Sequence, residues 1–384
     1  MLVILTTHPI QYQVPIWKAL AADGRMPFEV WYLTRHGVAP SRDAEFGQTF
    51  AWDIDMLSGY PHRFLDAAGD ATPASFWRCR LHEPLREKLR AVGAKALWIQ
   101  GWQVLAYWQA VREARAAGME VWLRGESNDL APVPAWKRAA KRPLLGWLFA
   151  RVDRFLAIGS ANRRLYRSYA VPEAKLYAAP YTVDNQRFAR QAAALRGERA
   201  GLRRDFGIPD DAFCVLFCGK LIAKKRPQDL VGAAQQLRSS GRLPNVHLLF
   251  AGSGALECEL RALCETGAKP LASFAGFLNQ SQISRAYAAA DCMVLPSDFG
   301  ETWGLVVNEA MASGLPCLVS DACGCAENLA GPGCTFPARD VAALADKIVR
   351  LRAGELRSPP RTLPSVQDSV DAVLAAYRDM AARQ

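Results

Sequence analysis

Short apolar segments alternate with amphipathic helical segments along this chain, and the alternation starts afresh near the middle. Strands are predicted in the first half at Leu2–Leu5, Phe28–Leu33, Ala96–Ile99, Glu120–Arg124 and Phe155–Ala157. In the second half they are predicted at Cys214–Cys218, Val246–Ala251, Leu271–Ala275, Cys292–Leu295 and Cys317–Ser320. This alternation favours an α/β fold with parallel sheets. We therefore expect two doubly wound units with ligands beyond the carboxyl ends of their strands, in a cleft between the units.

The length of the chain also favours two domains. A chain of 384 residues exceeds what one hydrophobic core supports, because single cores stop growing beyond about 250–300 residues. The predicted units comprise residues 1–185 and 204–357, and the polar stretch 184–203, rich in alanine and arginine, lies between them. A last helix, about 366–384, follows a proline-containing segment.

The composition is that of a globular protein in a reducing compartment. Hydrophobic residues make up 51% of the chain and charged residues 22%, which are ordinary values for folded domains. No apolar run reaches the ~20 residues needed to cross a bilayer, and the amino terminus is interpreted as a buried strand rather than a signal peptide. The ten cysteines lie mostly in apolar segments, which favours buried free thiols and a cytoplasmic location.

The segment 297–314 carries the most chemical information. Glu301 and Glu309 flank a glycine-containing turn, a buried strand runs into that turn, and a helix follows it. A helix start offers backbone N–H groups and a positive dipole end to an anion. Ionised carboxylates suit the hydroxyls of a polyol instead, because each can accept two hydrogen bonds at once. A phosphate site beside a polyol site indicates a nucleotide sugar.

The spacing Glu-x7-Glu, followed by Ala-Met-Ala-Ser-Gly-Leu-Pro, resembles the signature of retaining glycosyltransferases of family GT4. The resemblance implies the GT-B fold, with two Rossmann-like domains facing a cleft and a terminal helix that crosses back onto the first domain. It implies that Glu301 binds sugar hydroxyls and that Glu309 binds the ribose. The N–H groups around Trp303, Gly304 and Leu305 would face the diphosphate.

A basic loop, 219–226, follows the first strand of the second half. Gly219 permits close approach of the backbone, and Lys220 and Lys225, five residues apart, are placed to clamp a pyrophosphate. The loop resembles the Gly-Arg-Leu…Lys pattern of the family, with Lys220 where arginine is usual, so the charge is kept and the bidentate fork is lost. We expect no metal and no cofactor, with the nucleotide sugar as a co-substrate.

Three weaker motifs belong to the second half. Phe277 and Leu278 resemble the turn that receives the nucleotide base, although packing explains Phe277 equally well. The segment 321–327 resembles the family's glycine loop that ends in glutamate, and a structural role of Glu327 stays open. The Gly-Ser-Gly turn at 252–254 lacks the third glycine of a dinucleotide fingerprint.

The first half is expected to hold the acceptor. His8 and Gln11 follow the first strand, and Arg124 and Glu126 follow a later strand on the same side. These residue types suit hydroxyl or phosphate ligands, while a packed loop around His8 is an equally good interpretation. The Asp-x-Asp at 53–55 copies a metal motif of another glycosyltransferase fold, but it lies in the wrong domain and we interpret it as coincidence.

The net charge of +10, from 47 basic and 37 acidic residues, favours an anionic partner. Residues 136–151 combine five cations with aromatic and large aliphatic residues, the make-up of an interfacial element drawn to anionic lipid at the inner face of the cell membrane. A surface helix with an inward apolar stripe has the same composition, so both interpretations stay open. Nucleic acid is not expected, because no base-stacking module is recognisable.

The resulting hypothesis is a retaining glycosyltransferase acting by front-face displacement. The donor is a UDP-sugar or, as the second choice, a GDP-sugar, and the acceptor is a hydroxyl of an envelope polysaccharide or a lipid-linked glycan. Two alternatives remain: a nucleotide-sugar epimerase or hydrolase of the same fold, and a non-catalytic glycan-binding subunit. The second usually lacks a carboxylate or a phosphate lysine, and here both pairs are present.

Overall fold

The structure, a computed structural model, describes residues 1–38, 41–43, 48–65, 75–265, 270–356 and 362–383. The chain divides into two compact units: unit 1 comprises 1–41, 50–182 and 364–384, and unit 2 comprises 42–49 and 183–363. The predicted ends at positions 357 and 384 lie outside the described residues. Each unit is built around its own parallel sheet.

The strands in the first half of the chain are short. They are β1 (Leu2–Thr6), β2 (Phe28–Tyr32), β3 (Ser41–Asp43), β4 (Gln48–Phe50), β5 (His62–Phe64), β6 (Ala96–Ile99), β7 (Glu120–Leu123), β8 (Arg154–Ala157) and β9 (Leu176–Ala178), with β3 and β4 spanning the division between the units. Seven of them form a parallel sheet in the order β5-β2-β1-β6-β7-β8-β9, and β3 pairs with β4 in a sheet of two strands.

Helices cover both faces of this sheet. They are α1 (Val14–Asp23), α2 (Arg86–Ala91), α3 (Leu105–Ala116), α4 (Ala135–Phe149) and α5 (Ser160–Ser168). One face buries residues of α2 and α3, and the other buries residues of α1 together with Val370, Val373 and Leu374 of the last helix. That helix begins at a capping box, in which Ser365 and Asp368 satisfy each other's backbone N–H groups.

Unit 2 repeats the architecture with six strands. They are β10 (Phe213–Cys218), β11 (Val246–Ala251), β12 (Ala272–Gly276), β13 (Cys292–Leu295), β14 (Cys317–Ser320) and β15 (Thr335–Phe336). Their order is β12-β11-β10-β13-β14-β15, with all recorded pairs parallel. The helices of unit 2 are α6 (Asn185–Leu195), α7 (Arg199–Asp205), α8 (Pro227–Ser239), α9 (Glu257–Cys264), α10 (Ile283–Ala289), α11 (Leu305–Ala312), α12 (Gly331–Cys334) and α13 (Val341–Arg352). The last helix, α14 (Val366–Ala381), belongs to unit 1.

The ten predicted strands are all present, with ends that differ by at most one residue. The strands that the sequence did not indicate are β3, β4, β5, β9 and β15, each of two or three residues. Segments of that length are too short to show a period-two pattern. None of the described helices is both long enough and apolar enough to span a membrane.

The stretch 184–203 differs from the linker that its composition suggested. It folds as α6 and part of α7, and it belongs to unit 2, which begins at Val183 rather than at 204. Arg199 and Arg203 explain the difference, because both pair with Asp291 at the start of β13, at 2.7 and 3.3 Å. Arg199 and Arg203 are therefore structural contacts of the second unit.

Candidate functional site

The strand order of unit 2 reverses between β10 and β13, because β11 and β12 lie on one side of β10 while β13 to β15 lie on the other. In doubly wound sheets, ligands bind outside the carboxyl ends of the strands at such a switch point. Gly219 and Lys220 follow β10, and the segment that carries Glu301 follows β13. The fold thus places both predicted loops at the position where a ligand is expected.

The turn before α11 depends on Gly304, which caps the helix with a left-handed φ of 102°. A Cβ atom at this position would lie 2.5 Å from Cδ2 of Leu295, so only glycine fits. The indole of the preceding Trp303 is buried and donates from Nε1 to Oδ1 of Asn308 at 2.9 Å. The side chain of Trp303 therefore packs inward, so a ligand at this turn would contact the backbone of Trp303 rather than its indole.

Lys225 and Glu301 form an ion pair at this switch point. Ser297, at the end of the β13 segment, also donates to the Glu301 carboxylate at 3.1 Å. Lys225 lies in a single 3-10 turn, and Asp298 N donates to the carbonyl oxygen of Lys224 at 2.8 Å. The structure thus brings together one predicted phosphate ligand and the predicted sugar ligand, both largely buried.

Glu309 lies one turn into α11 and is 1% exposed. Its carboxylate oxygens accept from Tyr287 Oη at 2.6 Å and from Gln280 Nε2 at 3.3 Å. Burial, with Cys218 and Glu309 nearby, raises the pKa of Tyr287 well above its ordinary value, so the phenol stays protonated and donates. Arg187 in turn donates to the side-chain oxygen of Gln280 at 2.5 Å.

Three positioning residues, Tyr287, Gln280 and Arg187, were missed by sequence reasoning. They come from α10, from the loop before it and from α6, and no motif links them to Glu309. Gln280 stands two residues after Leu278 in the predicted base turn, which is the nearest signal that the sequence contained. Phe277 and Leu278 themselves follow β12 and are half-buried.

Two ion pairs flank the turn 297–304 before α11, which is called the signature turn below. Arg339 Nε donates to Asp298 at 2.9 Å, and Arg226 donates to Asp229 at 2.6 and 2.7 Å. Burial alone would raise the pKa of Asp298, but Arg339 and neighbouring groups bring it below its ordinary value. Both arginines have left-handed backbones, with φ of 49° at Arg226 and 69° at Arg339, a conformation that non-glycine residues adopt at a cost.

The Gly-Ser-Gly turn after β11 supports the basic loop. A Cβ atom at Gly254 would lie 2.5 Å from the carbonyl oxygen of Leu221, and one at Gly252 would overlap the carbonyl of Gly219. The backbone N–H of Leu221 donates to Ser253 at 2.9 Å. The two glycines therefore allow this turn to lie directly against the loop that carries Lys220.

The loop 322–326 lies against the signature turn in the same way. Gly324 N donates to the carbonyl oxygen of Glu301 at 3.1 Å, and Cys325 N donates to that of Trp303 at 3.0 Å. Cys323 and Cys325 are buried free thiols. Glu327 is exposed and lies in a short π-helical turn, Ala326–Ala330, away from this backbone contact.

The residues predicted to contact an acceptor all lie in unit 1. His8 Nδ1 lies 2.9 Å from Oγ1 of Thr7, and burial together with His36 lowers the pKa of His8 to about 4, so the imidazole is neutral near pH 7. Gln11 is half-buried in the turn before α1. Arg124 follows β7 and stacks on Tyr181, whose phenol donates to Glu126.

The Asp-x-Asp segment takes part in a local turn. Asp55 pairs with Lys18 at 2.8 Å and accepts from the backbone of Ser58 at 3.1 Å. Within the described ranges, no cluster of three His, Cys, Asp or Glu residues is arranged to hold a metal ion. The contacts of Asp55 are those of a structural turn.

Solved structures share the fold over nearly the whole chain. Sucrose-phosphate synthase from Thermosynechococcus elongatus superposes with a TM-score of 0.71 at 17% identity over 100% of this chain and 99% of that one. The Anabaena protein HepE, in complex with UDP, superposes with a TM-score of 0.67 at 15% identity over 98% and 95% of the two chains. The chain therefore has the predicted GT-B type of fold, with two parallel-sheet α/β domains.

A match to a known family lies in the second unit. Residues 212–353 match the sequence model of the family "Glycosyl transferases group 1". An uncharacterized glycosyltransferase from Methanocaldococcus jannaschii is 35% identical over 34% of this chain and 33% of its own length. A D-inositol 3-phosphate glycosyltransferase from Mycolicibacterium smegmatis is 30% identical over 47% and 43% of the two. The matches to these relatives span about a third to a half of their length, and the predicted resemblance to glycosyltransferases is confirmed.

Proposed function

We propose that this protein is a retaining glycosyltransferase of family GT4 that uses a nucleotide diphosphate sugar. The observation that carries the proposal is the Lys225–Glu301 ion pair at the switch point of a glycosyltransferase group 1 domain. A lysine and a carboxylate held together there can serve the two halves of one donor. Lys225 faces the charge that grows on the leaving diphosphate, and Glu301 accepts hydroxyls of the sugar.

Departure of the diphosphate is the step that needs stabilisation. Lys220, Lys225 and the amino-terminal end of α11 supply positive charge for it, without a divalent ion. In front-face displacement the acceptor hydroxyl attacks the anomeric carbon from the side that the diphosphate leaves. The departing phosphate oxygen takes the hydroxyl proton, and the C–O bond to the diphosphate breaks as the new C–O bond forms.

Glu309 is proposed to bind the ribose of the donor. Tyr287 and Gln280 each occupy one hydrogen-bonding position of its carboxylate. An ionised carboxylate suits the hydroxyls of a ribose, because it can accept two hydrogen bonds at once. The contacts with Tyr287 and Gln280 hold the carboxylate in one orientation.

We favour UDP over GDP as the nucleotide and an envelope polysaccharide or lipid-linked glycan as the acceptor. The UDP complex of the structurally similar HepE supports the first choice. The net charge of +10 supports an anionic acceptor or an anionic surface. An epimerase or hydrolase of this fold would release nucleotide in the absence of any acceptor, which separates it from a transferase.

A thermal-shift titration with UDP, GDP and their sugars tests the donor site. A ligand at 100 times its dissociation constant adds about 2.7 kcal/mol to the free energy of unfolding. We expect Glu309→Ala to abolish the nucleotide shift and Glu355→Ala, an exposed carboxylate of unit 2, to leave it unchanged. A full shift in Glu309→Ala removes this residue from the ribose site.

Turnover tests the phosphate role separately. Lys225→Ala is expected to lower the turnover of donor far more than the affinity for acceptor, and the exposed neighbour Lys224 provides the control Lys224→Ala. Turnover that survives EDTA, with retained anomeric configuration by NMR of the product, agrees with the proposed mechanism. An inverted product or a requirement for a divalent ion contradicts it.

We also propose that α4 brings the protein to the anionic inner face of the cell membrane. The first ten residues of this helix, 135–144, are all exposed, including Trp136 at 69% and Leu144 at 56%. Lys137, Arg138, Lys141 and Arg142 lie in the same exposed stretch. An inward apolar stripe, the alternative for this segment, would have buried Trp136 and Leu144. Each basic residue near an anionic bilayer contributes about 1 kcal/mol.

Cosedimentation with vesicles tests the membrane contact. Vesicles of phosphatidylglycerol should bind the protein in a salt-sensitive way, while vesicles of phosphatidylcholine should not. Replacing Trp136 and Leu144 together by serine should release the protein. The control is Trp77→Ser, because Trp77 is equally exposed elsewhere in unit 1. Equal release by the control variant would argue against a specific role of α4.

A further inference from the structure

Arg124 is a buried arginine with an unused binding edge. Its side chain is 2% exposed, and its guanidinium lies 4.7 Å from the centroid of the Tyr181 ring. Across the described ranges, neither Nε nor Nη2 of Arg124 has a hydrogen-bond partner. These two nitrogens form one edge of the guanidinium, and such an edge can hold two oxygens of a carboxylate or phosphate at once.

Arg154 shows the occupied form of the same edge in the same sheet. Its Nε and Nη2 donate to the two oxygens of Glu120 at 2.8 and 3.2 Å, and it is also 2% exposed. Glu126, the acidic residue nearest in sequence to Arg124, is exposed and accepts from Tyr181 instead. Among the described residues, a carboxylate therefore faces the Nε–Nη2 edge of Arg154, and none faces that of Arg124.

An uncompensated buried charge is costly. Removal of a charged group from water costs several kcal/mol unless a partner of opposite charge and hydrogen bonds replace the water. The stacking of Arg124 on Tyr181 offsets only part of this cost, because a cation–π contact leaves the N–H groups of the guanidinium edge without hydrogen-bond acceptors. A bound anion would satisfy the rest.

Two further polar side chains with unsatisfied atoms lie next to this arginine. Gln100 follows β6, and the pairing of Ile99 with Leu123 places it beside Arg124 in the neighbouring strand, about 4.8 Å away along the sheet. Gln13 Nε2 donates to Gln100 Oε1 at 3.4 Å. Within the part of the chain that the structure describes, Gln100 Nε2 and Gln13 Oε1 have no partner.

These side chains lie on one face of the sheet and at its switch point. Side chains alternate between faces along a strand, and Trp98 and Trp122, two residues before Gln100 and Arg124, both belong to the core on the α1 face. The strand order of unit 1 reverses between β1 and β6. Gln100 directly follows β6, so it lies where a doubly wound sheet binds its ligand. Gln100 and Gln13 contact each other there, and Arg124 is the neighbour of Gln100 along this edge of the sheet.

We propose that Arg124, Gln100 and Gln13 bind an anionic group of the acceptor, a phosphate or a carboxylate. Arg124 holds two of its oxygens through Nε and Nη2, Gln100 donates to a third atom, and Gln13 accepts from an adjacent hydroxyl. The proposal rests on the proposed function, because it gives the acceptor of that transfer its chemical class: an anionic rather than a neutral glycan.

The test is a calorimetric titration of the whole protein with inorganic phosphate and with acetate, in the presence of saturating UDP. UDP keeps the basic loop of unit 2 occupied, so that added anions report on unit 1. We expect at least tenfold weaker binding in Arg124→Gln, a partial loss in Arg124→Lys, which keeps the charge without the fork, and no change in Arg112→Gln, whose side chain is exposed on α3. The anion that binds more tightly identifies phosphate or carboxylate as the group.

The melting temperature of the ligand-free variants provides the second measurement. Without a bound anion, the buried charge of Arg124 destabilises the folded protein. Arg124→Gln should therefore melt at or above the wild-type temperature. A variant that melts lower and still binds phosphate like the wild type would overturn the proposal, since Arg124 would then be structural. Failure of UDP to bind, with anion binding still lost in Arg124→Gln, would instead contradict the proposed function and leave the anion site standing.

Discussion

A methyl group at position 324 has no room in this structure. A Cβ atom built on Gly324 would lie 1.9 Å from the carbonyl oxygen of Thr302, and real separations of this kind are essentially never below 3.0 Å. The nearest atoms are backbone, so the change Gly324→Ala must separate the loop from the signature turn by about 1.1 Å, the difference between the two distances. Displacements of about 1 Å cost about 100-fold in rate when they affect the positioning of reacting groups.

We therefore expect Gly324→Ala to lower donor turnover by about 100-fold while the protein remains folded. The shift should be visible as a loss of the hydrogen bonds that Gly324 and Cys325 donate to the turn, measured by hydrogen exchange of those two amides. Gly333→Ala is the matched control, because a Cβ atom there would meet nothing within 4 Å. Turnover of Gly324→Ala within about threefold of the wild type would refute the view that this contact sets the position of Glu301.

Three further expectations follow from other contacts. Tyr287→Phe removes one hydrogen bond to the buried Glu309 carboxylate, and because such bonds to charged groups contribute about 1.5–3 kcal/mol, nucleotide affinity measured by calorimetry should fall by about tenfold or more; unchanged affinity would contradict a positioning role. His247 is buried, and burial, then Arg238 and Arg203, lower its pKa to about 4; the unfolded chain therefore binds the proton first as pH falls below about 6.5, so that the loss of stability between pH 7.5 and 5, measured by urea unfolding, should be about 2 kcal/mol smaller in His247→Phe than in the wild type, while the loss due to His8, whose pKa is also about 4, remains. Asp291→Ala leaves two partly buried arginines without their carboxylate and should destabilise unit 2 by about 2–3 kcal/mol, whereas Asp346→Ala, at an exposed pair, should cost less than about 1 kcal/mol by the same measurement.

The sequence was sufficient for the sheets because their central strands are continuous apolar runs. β1, β10 and β13 are buried along their length or nearly so, and runs of this kind stand out against the amphipathic helices between them. The stretch 184–203 misled for the opposite reason. Its arginines are typical of a solvated linker, and only the folded sheet brings Asp291 to meet them.

The candidate site also contains residues that the sequence can indicate and residues that only the structure reveals. Glu301, Glu309 and Lys225 lie in local motifs, so the sequence alone can mark them as candidate site residues. The partners that hold them were not predictable, because Tyr287, Gln280 and Ser297 reach the carboxylates from separate elements of the fold. Arg124 was noted for its place at a strand end, while its unpaired edge is visible only once the surrounding side chains are placed.

Left-handed backbone at Arg226 and Arg339 limits how this protein can be engineered for heat resistance. Glycine at either position would relieve strain of about 1–3 kcal/mol, and a stability screen would reward that exchange. Each guanidinium also pairs with an aspartate beside the loops of the proposed donor site, so a glycine variant would lose an ion pair that holds those loops. Selection on melting temperature alone would therefore favour variants that melt at a higher temperature but hold the loops of the proposed donor site less firmly.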